Sequence, residues 1–325
     1  DTAISINNLG SLYMDLGKYE KAESLFNQSL EIRKRIFGLE HPLISNGLNN
    51  LGSLYMDLGK YEKAESLFNQ SLEIRKRIFG LEHPDTASTL NNIGLLYESL
   101  GKYEDAEPFL KQSLEIRKKI NGLDHPDTAI VLSNLGSLYE SLGKYKDSES
   151  LFNQSVIIFE KSFGLNHPNT TTSLGNLGMF YKTLGQYEKS NKLLRSSLIS
   201  NLQFIQRELP FLPISSRIKF ADRYAFNDKI YSNLDKNINY KELAMFRIIN
   251  TKGLLEEIEK SQSQLKSLEG PQKEIANQLR IINQKISNLK VDQKQIQDFL
   301  KEKEKLEKKL YRLLPQLKTR IVNIE

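Results

Sequence analysis

The sequence predicts an all-α protein: a stack of two-helix repeats, or α-solenoid, followed by a helical connector and antiparallel coiled-coil-like helices. Three observations predict it. The chain repeats itself every 42 residues, with NNLG at residues 7, 49 and 91, SNLG at 133 and GNLG at 175. Within each copy, apolar residues recur at helical spacing. Beyond the last copy, the apolar spacing changes to the alternating four and three of a coiled-coil seam.

The repeat leads the argument. Residues 7–42 and 49–84 are identical letter for letter, with six variable residues between them. An active site is one constellation of unlike residues, so writing a surface twice adds no chemistry to it. A stacked scaffold instead gains one more rung, because its stability is a sum of repeat and nearest-neighbour terms. In the first copy Ile6, Leu9, Gly10 and Tyr13 follow the i, i+3, i+4, i+7 pattern of a first helix. Ala22, Leu25, Phe26, Leu30, Arg33, Ile36 and Phe37 form the series of a second. Gly17 and Gly38, with their counterparts, are expected to end the two helices in left-handed conformation. Gly10 and its counterparts lie inside the first helix, where glycine costs about 1 kcal/mol relative to alanine. Close approach of the partner helix is the expected reason. Pro42, Pro84, Pro126 and Pro168 are expected at the first helical position.

These residues carry a resemblance. Leu9, Gly10, Tyr13, Gly17, Tyr19, Ala22 and Phe26 resemble the tetratricopeptide-repeat pattern. The usual tryptophan is replaced by Ile6, Leu48, Leu90, Leu132 and Leu174, and the usual closing proline is missing. The 42-residue period, the LNNLG helix and the SLEIRKRIFGLEHPDTA tail are similar to the repeats of kinesin light chain. The resemblance covers residues 1 to about 198 and implies a right-handed superhelix with a concave groove; it implies function far less strongly than fold. DTA at Asp1–Ala3 recurs after the GLxHP turns at Asp85 and Asp127, so Asp1 is expected to sit mid-array.

At about 100° per residue from Ile6, Ser11 falls near 140°, Asp15 near 180° and Asn8 near 200°, away from the packed face. Asparagine recurs at Asn50, Asn92, Asn134 and Asn176. In tetratricopeptide families this position lines the groove. A carboxamide offers donors and an acceptor, so such a ladder can pair with the backbone of an extended peptide. Ser11, Asp15, Ser53, Asp57 and Ser137 would flank its rungs. The alternative reading is that the asparagines only bridge adjacent helices.

Other chemistry is disfavoured. The four histidines, His41, His83, His125 and His167, precede proline in equivalent turns, on the order of 10–20 Å apart, so they cannot share a metal ion and read as structural turn residues. Cysteine is absent, which removes disulfides, thiolate zinc sites and a cysteine nucleophile, and fits a reducing, cytoplasmic setting. No phosphate-cradling glycine loop appears. Glu20, Glu23 and Glu31 recur as a solvated face would, and the RKR runs at 33–35 and 75–77 read as solvated helix ends complementing the dipole. No enzyme and no cofactor are expected.

The net charge of +6 is uneven, with 22 Lys+Arg against 24 Asp+Glu over residues 1–200 and 24 against 16 beyond. The lysines from 290 to 309 alternate with acids and have few aromatic neighbours, which argues for a charged helix exterior over a nucleic-acid site. No apolar run is long enough to cross a membrane. The expected partners are therefore a protein or peptide, with self-association through the coiled-coil region possible, and neither nucleic acid nor membrane.

The expected domains are the array at 1–209, a connector at 210–252 and a coiled-coil region at 253–325. The seams of that region run Leu254, Ile258, Leu265, Leu268, then Ile275, Leu279, Ile282, Ile286, Leu289, then Ile296, Phe299, Leu306, Leu310, Leu313, Leu317. The order of parts, with ELAMFRIINTKGLLEEIEKS at 242–261, resembles the region upstream of the caspase-like domain in bacterial TPR-CHAT proteins. That resemblance implies an alternative role as the sensor arm of a larger protease, with catalysis lying beyond Glu325.

Overall fold

The computed structural model describes residues 2–208 apart from residue 16, residues 269–288, Tyr240, Leu243 and scattered residues between 298 and 313. The first seam, the connector apart from Tyr240 and Leu243, Leu289 of the second seam and half of the third seam lie outside the described residues. The described helices are α1 (Thr2–Asp15), α2 (Tyr19–Phe37), α3 (Pro42–Asp57), α4 (Tyr61–Phe79), α5 (Pro84–Ser99), α6 (Tyr103–Asn121), α7 (Pro126–Ser141), α8 (Tyr145–Phe163), α9 (Pro168–Thr183), α10 (Tyr187–Glu208) and α11 (Pro271–Asn288). No strand occurs among the described residues. The chain divides into two compact units, residues 1–155 and 156–325, each taken by itself below.

In the first unit every odd helix from α3 starts in the same way. Proline occupies the first turn and the preceding histidine is the cap. The Nδ1 atoms of His41, His83 and His125 accept the backbone N–H of Leu43, Asp85 and Asp127 at 3.2, 3.1 and 3.1 Å. Imidazole thus takes the place of the usual serine or aspartate oxygen, satisfying one orphan donor of the helix start. The rings of His41 and His83 also stack on Phe37 and Phe79, at 4.3 and 4.1 Å between centroids. The structural role read from the sequence acquires a mechanism here.

Helix ends separate into two glycine types. Gly59 ends α3 at φ 68°, while the following Lys60 N–H closes back on the Tyr55 carbonyl at 2.8 Å. Gly80 after α4 has φ 81° and ψ 179°, an extended conformation of positive φ that is essentially reserved for glycine. The expectation of one shared left-handed stop therefore holds for the first type only.

The core forms between copies as much as within them. Ala22, Phe26 and Leu30 of α2 cluster with Ile44, Leu48, Leu51 and Leu54 of α3, and the same set recurs one repeat later from Ala64 to Leu96. Gly52 faces the ring of Phe68, and a Cβ built there would lie 2.6 Å from Phe68 Cε1. The interior glycine thus makes room for the aromatic ring of its own partner helix. Buried serines clip each pair: Ser29, Ser71, Ser113 and Ser155 donate to the carbonyls of Ala3, Ser45, Ala87 and Ala129 at 2.6 to 2.9 Å.

Three readings need correction. Ile36 and Phe37 are exposed, as is Leu9, whose counterparts Leu51, Ile93 and Leu135 are buried, the first two in clusters with the second helix of the preceding copy. Arg33 and Arg75 are not solvated helix ends, being only 3% and 4% exposed. Their guanidinium groups lie between copies, and the acceptors they find there depend on the residues around the turn. The Glu23 column is not a plain solvated face either, because its members accept hydrogen bonds from the next copy, described below.

In the second unit, Ser197 donates to the Thr171 carbonyl at 2.7 Å, so the clip persists in the α9–α10 pair. His167 caps α9 through the Asn169 N–H at 3.2 Å. Leu194, Leu198, Leu202 and Ile205 bury the long face of α10. Ser190, at the alanine position of the repeat, donates to the Gly178 carbonyl at 2.7 Å and accepts from the fully buried Tyr240 hydroxyl at 2.9 Å. Tyr240 also sets its ring edge-on to Tyr187. A residue from beyond the repeats thus covers the final pair, as the apolar end of a solenoid requires. On α11, Ile275, Leu279 and Ile282 of the second seam are buried.

Candidate peptide-binding face

The amides of the ladder sit where helical geometry turns them off the core, and they are tied to one another across copies. Asn50 Nδ2 donates to Asn7 Oδ1 at 3.1 Å, Asn92 to Asn49 at 3.3 Å, and Asn134 to Asn91 at 2.8 Å. The donor is always the ladder residue and the acceptor the residue one position earlier in the previous copy. Asn91 Nδ2 further donates to Asn92 Oδ1 at 3.4 Å. Asn8 is exposed, while Asn50, Asn92, Asn134 and, in the second unit, Asn176 are partly exposed. The bridging reading therefore describes one donor of each of these three amides. A carboxamide has a second donor and two acceptor lone pairs besides.

The flanking residues differ among themselves. Ser11 and Ser53 turn back onto their own helix, donating to the Asn7 and Asn49 carbonyls at 3.3 and 3.1 Å. Asp15 and Asp57 are exposed. Ser137 instead reaches to the preceding copy and donates to Glu98 Oε1 at 2.7 Å. Glu98 was missed in the sequence. Burial pushes its carboxyl up from the ordinary range and Glu140 adds to this, against the hydrogen bond from Ser137. Its signal was available: at this position the earlier copies carry Met14 and Met56, so a carboxylate replaces a thioether beside the packed stripe.

A second inter-copy series was also missed. The hydroxyls of Tyr55, Tyr97 and Tyr139 donate to Glu23, Glu65 and Glu107 of the preceding copy at 2.7, 2.7 and 3.1 Å. For Tyr55, burial and then the Glu23 bond push the phenol up to about 12; for Tyr97, the Glu65 bond leads, with the same result. Glu107 also accepts from Lys111 at 2.7 Å and Lys144 at 2.8 Å, which hold its carboxyl down at about 2. A carboxylate depressed on folding stabilises above its unfolded value near 4.5, and the contribution is lost as pH falls through about 2. Glu107→Gln is therefore expected to lower the urea midpoint at pH 7, with the gap to wild type narrowing between pH 4.5 and pH 2. A gap independent of pH would show that the amide loses shape rather than charge.

Among the described residues no group of three or more His, Cys, Asp or Glu could hold a metal ion, and no helix is long and apolar enough to cross a membrane. The face offers donors and acceptors in a periodic row, suited to a backbone, and no nucleophile–base pair.

Comparison with known proteins agrees with this architecture. The chain is similar to BtubC (BKLC) from P. vanneervenii, with 26% identity over 60% of this chain and 78% of that one and a TM-score of 0.51. A point-substituted form of a Podosopora anserina putative kinesin light chain with nearly identical TPR-like repeats matches at 24% identity over 61% of this chain and 94% of that one, TM-score 0.50. A Rap protein complexed with Competence and Sporulation Factor shares the fold at 17% identity, over 94% of this chain and 75% of that one, TM-score 0.55. No curated protein matches the chain. The model of the tetratricopeptide repeat matches residues 1–55, 43–119, 86–161 and 127–198, more than half of the sequence. The chain belongs to the tetratricopeptide-repeat family, with repeats of the kinesin-light-chain-like kind.

Proposed function

We propose that this chain, a protein-interaction scaffold by virtue of its repeats, holds an extended peptide or a partner helix along the face carrying Asn8, Asn50, Asn92 and Asn134, with Asn176 the corresponding contact in the second unit, and does no chemistry of its own. One observation carries the reading. The three bridged amides stand in a row at one repeat spacing, each committing one of its own donors to a bridge and still partly exposed. Amides already ordered by a neighbour lose less side-chain freedom when a guest arrives, which favours affinity. Asp15, Asp57, Ser11, Ser53 and Ser137 would then set preference among guests. The array at 1–209, the connector and the coiled-coil region belong to the same proposal, the last as a route to self-association, in a cytoplasmic setting that the absence of cysteine suits.

The bridges complicate the obvious test and supply its control. A triple change of Asn50, Asn92 and Asn134 to alanine removes both bridge and contact, whereas changing Asn7, Asn49 and Asn91 removes the bridges and leaves the ladder in place. In selections from a displayed library of random peptides, wild type should enrich extended binders that the first triple variant loses by more than about tenfold, or 1.4 kcal/mol. The second triple variant should keep most of that capture despite lower stability. Equal loss in both would assign the amides to bridging alone.

A further inference from the structure

Stacking leaves one line of large apolar side chains uncovered. In the first unit Ile36, Phe37 and Leu39, then Ile78 and Leu81, then Ile120 and Leu123 are exposed, at the end of each second helix and in the turn after it. Leu39, Leu81 and Leu123 are 67%, 44% and 59% exposed. The middle copies are covered on both sides by neighbours and still show these residues, so the exposure belongs to the edge of the stack. Seven such side chains amount to on the order of 500 Å² of apolar surface, the scale at which a patch marks an interaction site. With its charged rim the stripe approaches the roughly 800 Å² per partner of a standard interface.

The rim identifies the occupant. Along its rim Arg35, Glu40, Arg77, Glu82, Lys119 and Asp124 are exposed and alternate in sign, while the exposed Lys76 is turned back to Glu73 of its own helix. Within the chain, Arg77 pairs with Glu40 and Lys119 with Glu82, joining successive rungs. Read backwards, the series has every sign reversed. A second copy laid antiparallel therefore sets Arg35 against Asp124, Glu40 against Lys119 and Arg77 against Glu82. Its rungs also have the same spacing, which an unrelated surface has no reason to match. From this we infer that the stripe is a two-fold interface between copies of this chain, an isologous contact centred on Leu81. It is distinct from the ladder and from the coiled-coil region.

The absence of cysteine makes the test clean. In the full chain, Leu81→Cys should form a covalent dimer under mild oxidation at least about tenfold faster than Leu39→Cys, because proximity raises the effective concentration. Leu39→Cys should cross-link only when mixed with Leu123→Cys. By sedimentation, wild type should be a concentration-dependent dimer, and the combined change Leu39→Asp, Leu81→Asp, Leu123→Asp should be a monomer with unchanged helical circular dichroism. A monomeric wild type, a dimer that survives the three aspartates, or equal cross-linking of Leu39→Cys and Leu81→Cys would each overturn the inference. The second outcome would place association in the coiled-coil region.

Discussion

Arg75→Ala is expected to cost about 3 kcal/mol or more, since it strips a buried side chain and leaves several acceptors short of a charged donor. Arg75 Nε donates to Ser45 Oγ at 3.1 Å, one terminal nitrogen to Asn46 Oδ1 at 2.6 Å, and the other to the Asp85 carbonyl and to Thr89 Oγ1 at 2.6 Å. Arg33 sits at the same place in an identical 36-residue context. It has one such bond, to the Leu43 carbonyl at 2.8 Å, and its buried Nε has no partner. Burial pushes both guanidinium groups down from their ordinary range, and in Arg75 the Asp85 charge opposes this. The equivalents of Ser45, Asn46 and Thr89 around Arg33 are Ala3, Ile4 and Gly47, which offer no side-chain acceptor. Replacement by methionine keeps most of the volume and removes the charge. Arg33→Met should be neutral or stabilising, because an apolar side chain of similar size avoids an uncompensated buried charge, whereas Arg75→Met should lower the urea midpoint. Equal midpoints for the two methionine variants would show that these bonds carry no net energy.

Gly52→Ala is the second large effect. On helix propensity alone it should stabilise by about 1 kcal/mol. The added Cβ would lie 2.6 Å from Phe68 Cε1 and 2.7 Å from Cδ1, so the ring or the helix must move. Such overpacking costs about 1–3 kcal/mol, and the net result should be destabilising. Phe68→Ala alone should cost about 3–5 kcal/mol as a cavity. In the Phe68→Ala background, Gly52→Ala should become neutral or favourable, because the clash is gone and the helix gain remains. The coupling read from the double-mutant cycle is the measurement that matters. A cycle without coupling would mean that the glycine is kept for some other reason.

Much of this protein can be read from the letters alone. A period of 42, glycines at fixed offsets and HP turns dictate pairs of helices, because each signal acts on its own few residues of backbone. The core stripe could be derived the same way, from the angle between Ile6, Gly10 and Tyr13. The ladder position was legible by angle, yet its hydrogen bonds were not, because donor and acceptor lie 43 residues apart and belong to different copies. The histidine cap was hidden for another reason: its acceptor is a ring nitrogen, where sequence patterns lead one to look for an oxygen.

The repeating unit, its helices and its stops follow from the letters, since local propensity and spacing decide those. Which polar groups find partners follows from packing. Two arginines in identical 36-residue segments differ because their acceptors lie outside those letters: Ser45 and Asn46 come from the partner helix of the same pair and Asp85 and Thr89 from the next copy, brought within reach only by packing. The same stacking decides what it leaves uncovered: Ile36 and Phe37 continue the apolar series of the second helix, but no neighbouring copy reaches the edge on which they lie.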